Sequence, residues 1–190
     1  GDESLRKRPM QDLIDALENL GVQISSSQSN GTPPIIVKGG FEGGQTDIKG
    51  DVSSQFISSI IMAAPYSKKP VTLNVKGTFV SKPYVNMTLS VISKFGIDFE
   101  YDTTNIPEYS SYYIEPQKYE ATDYTIEGDY SSASYILAAA AILPSNLTVK
   151  NLYKDSMQGD KIIIDIIKKM GAEVTVDDDQ IHIESDGNLK

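Results

Sequence analysis

Gly50-Asp51-Val52-Ser53-Ser54-Gln55-Phe56-Ile57 returns 78 residues later as Gly128-Asp129-Tyr130-Ser131-Ser132-Ala133-Ser134-Tyr135, and a long apolar helical pattern follows each copy. A repeat of this kind sets the fold before any single element is assigned. Other apolar helical patterns end at Leu20-Gly21, Phe95-Gly96 and Met170-Gly171, at a constant spacing of 75 residues. Strand alternation follows each glycine: Val22-Gln23-Ile24, then Ile97-Asp98-Phe99-Glu100-Tyr101, then Ala172-Glu173-Val174-Thr175-Val176.

One unit therefore reads in order. Gly-Asp-x-Ser-Ser opens a first helix, Ser54 to Ala64 or Ser132 to Ile142, stopped near Pro65 or Pro144. A period-2 strand comes next, Val71 to Val75 or Leu147 to Leu152. A second helix from Pro83 or Asp160, a glycine and two strands complete the unit, the last strand being Tyr112 to Glu115 or Gln180 to Glu184. The expected fold class is α/β (α+β), built from repeated βαβαββ units or a rotation of that order. Pro9 and Pro83 suit a first helical turn, where a missing N–H costs nothing. Met10, Leu13, Ile14, Leu17 and Leu20 form one apolar stripe, and Ile163, Ile166, Ile167 and Met170 another. Gly21, Gly96 and Gly171 fit the left-handed position that ends helices. The two first helices are apolar nearly all round, which predicts burial on every side. Because Arg8-Pro9 aligns with Lys82-Pro83, the chain opens at a second helix, and the expectation is a piece cut from a longer protein.

Composition narrows the chemistry. The 190 residues hold 26 acidic and 17 basic side chains, a net charge of -9, with no Cys and one His. Without Cys there is no disulfide framework, thiolate nucleophile or Cys-ligated metal. One His leaves little for a His-based metal site or a Ser-His-Asp triad. The acidic balance argues against nucleic acid or an anionic membrane as partner, both of which need clustered Lys and Arg. No apolar run reaches the roughly 18 residues of a membrane span, and the start lacks a signal-peptide core, so the expected location is cytoplasmic.

Ser53 and Ser54 stand where a buried helix begins. A helix N-terminus offers unpaired N–H groups and about half a positive charge, which suits phosphate or carboxylate. Plain N-capping is the competing reading. Ser131-Ser132 favours capping more, since Ala133 replaces Gln55 and its amide. Arg6-Lys7-Arg8 is the one tight basic cluster, with surface solubility as its default reading. Ser81-Lys82-Pro83-Tyr84 offers a hydroxyl, an ammonium and a phenol at another helix start, a common pattern by itself. Gly39-Gly40-Phe41-Glu42-Gly43-Gly44 lacks both phosphate-loop and dinucleotide spacing and reads as a turn between strands. Asp177-Asp178-Asp179 reads as a solvated hairpin tip, and His182 as a sheet-face residue.

Arg8-Pro9-Met10-x-x-Leu13-Ile14-Asp15-Ala16-Leu17, Gly50 to Phe56, Val80-Ser81-Lys82-Pro83-Tyr84, Glu127 to Tyr135 and Ser156-Met157-Gln158-Gly159-Asp160, taken in order, resemble successive blocks of the 5-enolpyruvylshikimate-3-phosphate synthase family. The resemblance implies two similar domains of three βαβαββ units each, an inside-out α/β barrel-like arrangement whose buried helices aim their N-termini at a cleft. Residues 1–123 would be the last one and a half units of one domain, and 124–190 the first unit of the other. The implied reaction moves the enolpyruvyl group of phosphoenolpyruvate to the 5-hydroxyl of shikimate 3-phosphate, through a tetrahedral intermediate that expels phosphate, without metal or organic cofactor. Carried over by motif, Ser53, Ser54, Gln55, Ser81 and Tyr84 would hold shikimate 3-phosphate, while Arg8, with Gln55 close to both substrates, would contact phosphoenolpyruvate. The family's proton-handling Asp and Glu, its early Lys-Ser pair and its later Arg, His and Lys residues fall outside these blocks. The chain alone is therefore expected to be inactive, with the remaining segments of the same enzyme as its partners. The competing readings are an enzyme like the UDP-N-acetylglucosamine enolpyruvyl transferases, most of which use a catalytic Cys, and a non-catalytic binding module of the same fold.

Overall fold

The computed structural model describes residues 2–79, 81–102 and 109–189, so Val80 of the sequence blocks lies outside the described residues. The chain divides into two compact units, Gly1–Thr122 and Asp123–Lys190.

The first unit opens with α1 (Glu3–Arg6) and α2 (Gln11–Asn19), followed by the antiparallel pair β1 (Gln23–Ser26) and β2 (Ile35–Gly39). A complete βαβαββ run comes next: β3 (Gly44–Lys49), α3 (Ser54–Ala63), β4 (Val71–Lys76), α4 (Lys82–Lys94), β5 (Glu100–Asp102) and β6 (Tyr109–Ile114). The four strands form one sheet in the order β3-β4-β6-β5, with β3 parallel to β4 and the other pairs antiparallel. Strand alternation turns Val71, Leu73, Val75, Tyr112 and Ile114 onto one face. There they share a core with Phe56, Ile57, Ile60 and Ile61 of α3 and Val85, Leu89 and Ile92 of α4. Ala16 of α2 and Leu20, the residue that caps its end, join the same core, and a Lys49–Asp12 ion pair of 3.2 Å ties β3 to α2.

Gly21, Gly96 and Gly171 have φ of +85°, +80° and +106°, the left-handed geometry expected where each helix stops. Pro83 lies in the first turn of α4. Pro9 differs from expectation: α2 starts at Gln11, and Met10, with φ of −128° and ψ of 2°, is its cap, its N–H bonded to the Gly31 carbonyl at 2.8 Å.

The polar face of the first sheet carries a cross-strand network. Asn74, only 3% exposed, donates to Asp47 Oδ1 at 2.9 Å, while its own carbonyl oxygen accepts from Tyr109 at 2.7 Å and Ser111 at 3.0 Å. Lys76 donates to Asp47 Oδ2 at 2.6 Å. These bonds, the Lys76 hydrogen bond foremost, hold the Asp47 carboxyl below the usual carboxylate range. A lowered folded-state pKa gives stability that is present above the unfolded pKa and lost as pH falls through the folded one. Asp47→Asn is therefore expected to cost about 0.5 kcal/mol at neutral pH, a small figure because the pair is half exposed to water. It should also flatten the fall of the melting temperature below pH 4, and a melting series from pH 7 to pH 2 in which both chains lose stability in parallel would refute this.

The second unit contains α5 (Tyr130–Ile142), β7 (Pro144–Lys150), α6 (Ile163–Lys169), β8 (Glu173–Val176) and β9 (Gln180–Asp186). Its sheet has the order β7-β9-β8, antiparallel throughout. Four expectations change here. The segment matching β3 forms no strand. It makes single hydrogen bonds, Gly128 N–H to the Asn151 carbonyl and Asn151 Nδ2 to the Ile126 carbonyl, and leaves Ile126 78% exposed. In the first unit α2 packs on β3, and no described helix of the second unit plays that part. Helix α5 begins at Tyr130, two residues earlier in the motif than α3 does, because Asp129 caps it. Its apolar circumference is only partly covered within this unit: Leu137, Ala140 and Ala141 are buried, whereas Tyr135 is 80% and Ile136 53% exposed. Similarly, Ile164 and Ile167 face the core from α6, while Ile166 and Met170 of the expected stripe are exposed.

Candidate functional site: the start of helix α3

The chain enters α3 through a turn. β3 pairs with β4 in register to Lys49↔Lys76, and the Gly50 N–H continues the ladder to the Lys76 carbonyl at 2.9 Å. The sheet thereby fixes where α3 begins. Ser53, in extended geometry, is the N-cap, its hydroxyl accepting from the Gln55 N–H at 3.3 Å. Ser54 is the first helical residue, and a neutral hydroxyl is the only side-chain cap. Arg8, from the segment after α1, donates to Gln55 Oε1 at 3.2 Å, bringing together two predicted residues 47 positions apart. Both side chains are exposed, so both remain open to a ligand.

Ser81 and Tyr84 stand at the start of α4, where Ser81 holds the cap position but its hydroxyl makes no cap hydrogen bond. Helices α3 and α4 pack together, and the Thr88 hydroxyl, one turn past Tyr84, lies 2.8 Å from that of Ser58, one turn past Ser54. Pattern reading of the sequence did not single out this contact between helices. Its only sequence signal is a hydroxyl residue at the same place, four residues past Ser54 and Tyr84, among the other polar residues of the two helices. Within the basic cluster, Arg6 and Lys7 line a surface cavity of about 580 Å³ with Glu3, Asn30 and Thr32, and Arg8 lines another of about 610 Å³ with Asp2, Ser4, Leu5 and Lys7.

The second copy of the motif is built differently. At α5 the Asp129 carboxylate accepts from the Ser131 and Ser132 N–H groups, at 3.0 and 3.2 Å, and the Ser132 hydroxyl donates to it at 2.5 Å. That hydroxyl first, then the amides, holds the Asp129 carboxyl below its ordinary range. Ser131 donates to Asp160, and Gln158 clamps the turn by accepting from the Tyr130 N–H and donating to the Gly128 carbonyl. Two carboxylates thus occupy the positive end of α5, whereas α3 keeps a neutral cap. Asp177, Asp178 and Asp179 form the β8–β9 hairpin tip, and no acidic or His cluster able to hold a metal occurs among the described residues. His182 faces Thr148 across β7 and β9, 3.0 Å apart.

The family model of EPSP synthase (3-phosphoshikimate 1-carboxyvinyltransferase) matches residues 1–190. The chain belongs to the EPSP synthase family. It is 52% identical over 189 residues to the 3-phosphoshikimate 1-carboxyvinyltransferase of Methanothermobacter thermautotrophicus, covering 100% of this chain and 43% of that protein. To the enzyme of the same name from Methanobrevibacter smithii it is 48% identical over 203 residues, covering 46% of that protein. It therefore spans less than half the length of these EPSP synthases. Among solved structures, EPSP synthase from Acinetobacter baumannii matches the whole chain with a TM-score of 0.74 and 26% identity, over 43% of its own length. The enolpyruvyl transferase NikO from Streptomyces tendae, at 18% identity and a TM-score of 0.66, shares the fold. No described helix is long and apolar enough to cross a membrane.

Proposed function

We propose that this chain is the shikimate 3-phosphate-holding part of a 3-phosphoshikimate 1-carboxyvinyltransferase. The observation that carries the reading is the start of α3: a helix end with a neutral Ser53 cap, a free-standing Ser54 beside it, and Arg8 brought onto Gln55 from a distant segment. Orphan N–H groups and Ser hydroxyls suit a phosphate, and a guanidinium suits a carboxylate or phosphate by bidentate contact. In the reaction the 5-hydroxyl of shikimate 3-phosphate adds to C2 of phosphoenolpyruvate while its methylene carbon takes a proton. The tetrahedral intermediate then loses phosphate and a proton from the new methyl group. The residues of this chain bind and orient: Ser53, Ser54, Gln55, Ser81 and Tyr84 hold shikimate 3-phosphate, and Arg8 with Gln55 meets phosphoenolpyruvate. Residues 1–123 contribute one and a half repeats to one domain and 124–190 the first repeat of the other, in a cytoplasmic enzyme.

Titration with shikimate 3-phosphate, followed through backbone amides, tests the reading. The Ser53, Ser54 and Gln55 amides should move together and saturate, those of Ser131 and Ser132 should stay in place, and no enolpyruvyl transfer should follow when phosphoenolpyruvate is then added. Silent α3 amides at saturating ligand would remove the substrate-holding role from the chain.

A further inference from the structure

We infer that Ser58 and Thr88 form a positioning pair that sets the starts of α3 and α4 in a single register; the inference rests on the shikimate 3-phosphate reading above. Ser58 lies four residues past Ser54, and Thr88 four residues past Tyr84, so each marks one helical turn beyond a proposed ligand-holding residue. Thr88 Oγ1 lies 2.8 Å from Ser58 Oγ and 3.1 Å from the Tyr84 carbonyl oxygen. A hydroxyl carries one proton and two lone pairs. One arrangement satisfies both contacts: Ser58 donates to Thr88, and Thr88 donates to the Tyr84 carbonyl. The first turn of α4 is then tied through a single side chain to α3.

Position follows from directionality. The buried faces of the two helices are otherwise apolar, with Phe56, Ile57, Ile60 and Ile61 on α3 and Val85, Leu89 and Ile92 on α4. Apolar burial is non-directional, so it resists separation of the helices more than it resists a small slide along their axes. A hydrogen bond weakens steeply when its geometry is lost, which fixes the slide. The other copy of the repeat supplies an internal comparison. At the corresponding places, 78 residues after Ser58 and 75 after Thr88, stand Ile136 and Ile163. The copy whose helix start is filled by Asp129 and Asp160 has no hydroxyl pair, and the copy with the neutral start has one. Partial burial of two hydroxyls is favourable only while they remain bonded, so a slide that breaks the pair carries a cost in stability.

The test compares Thr88→Val, Ser58→Ala, the double variant and Thr88→Ser in the 190-residue chain, reading backbone amides with and without shikimate 3-phosphate. Thr88→Val is expected to move the unliganded amides at both helix starts and to weaken binding by about three- to tenfold. Thr88→Ser should restore both, and the double variant should bind no worse than Thr88→Val, as expected for two members of one contact. Unchanged β4 amides establish that each variant is folded. Unchanged affinity in folded Thr88→Val, or no restoration by Thr88→Ser, overturns the inference. If the unaltered chain does not bind shikimate 3-phosphate, the substrate reading fails and the unliganded amides decide the positioning role. Coupled movement of both starts, reversed by Thr88→Ser, then upholds it, and movement confined to α4 overturns it.

Discussion

Gly43→Ala is expected to destabilise the first unit by about 3 kcal/mol or more and to lower its melting temperature by about 10 °C. A Cβ at Gly43 would stand 2.1 Å from the Lys69 carbonyl oxygen and 2.8 Å from the Lys69 carbonyl carbon, with φ at +91°. Both obstacles are backbone, so no side-chain rotation relieves them. The turn joins three segments: Gly43 and Glu42 donate to the Leu20 carbonyl, Lys69 donates to the Glu42 carbonyl at 2.9 Å, and Gly44 donates to the Pro70 carbonyl at 2.8 Å. Displacing Lys69 therefore breaks the junction of α2 with the entry to β4. The register Gly44↔Val71 starts at this turn and ends at Lys49↔Lys76, immediately before the α3 cap, so the strain should reach the candidate site. Gly44→Ala is the control. It shares a positive φ, +114°, but its Cβ would meet nothing within 4 Å, so conformational strain of about 1 kcal/mol is all it should cost. Urea unfolding read from the exchange of β4 amides should separate the two variants, and equal midpoints would refute the steric account.

Local rules made much of this architecture legible. Helix stops at Gly21, Gly96 and Gly171, period-2 strands and the Gly-Asp-x-Ser-Ser starts all depend on residues within one turn of each other, and the βαβαββ order of the first unit follows from them. Failures arose where a distant partner decided. Met10 rather than Pro9 borders α2, its backbone outside helical geometry and its N–H bonded to the distant Gly31 carbonyl. Residues 122–127 match β3 in sequence phase but have no described helix covering them as α2 covers β3, so their pattern produces no ladder. Ile166 and Met170 follow the helical stripe, yet the core takes Ile164 and Ile167. The candidate site divides in the same way. Ser53 as a cap was legible from its own neighbours. Residue types alone do not indicate that Arg8 reaches Gln55, that Asp160 fills the second helix start, or that Ser58 meets Thr88; these pairs lie 47, 29 and 30 positions apart. The family blocks carried Arg8 and Gln55 across that gap.

Ser54→Asp should move stability and binding in opposite directions, which separates a cap from a ligand site. Ser54 is the first residue of α3, and a carboxylate in a first turn is favoured by the helix dipole by about 0.5 kcal/mol. The same carboxylate would stand where the proposed phosphate sits, and juxtaposed like charges cost several kcal/mol, so shikimate 3-phosphate affinity should fall by about a hundredfold or more. The helix is then slightly more stable and the ligand is lost. At the matched position of the second copy, Ser132→Asp adds a third carboxylate to a start already holding Asp129 and Asp160. Repulsion there opposes the dipole, and the second unit should lose about 0.5 kcal/mol while binding to α3 stays unchanged. Paired melting and titration of both variants reads all four signs. Unaltered affinity in Ser54→Asp, with the gain in helix stability intact, would leave the α3 start as a cap and nothing more, since a phosphate and a carboxylate cannot share one set of N–H groups.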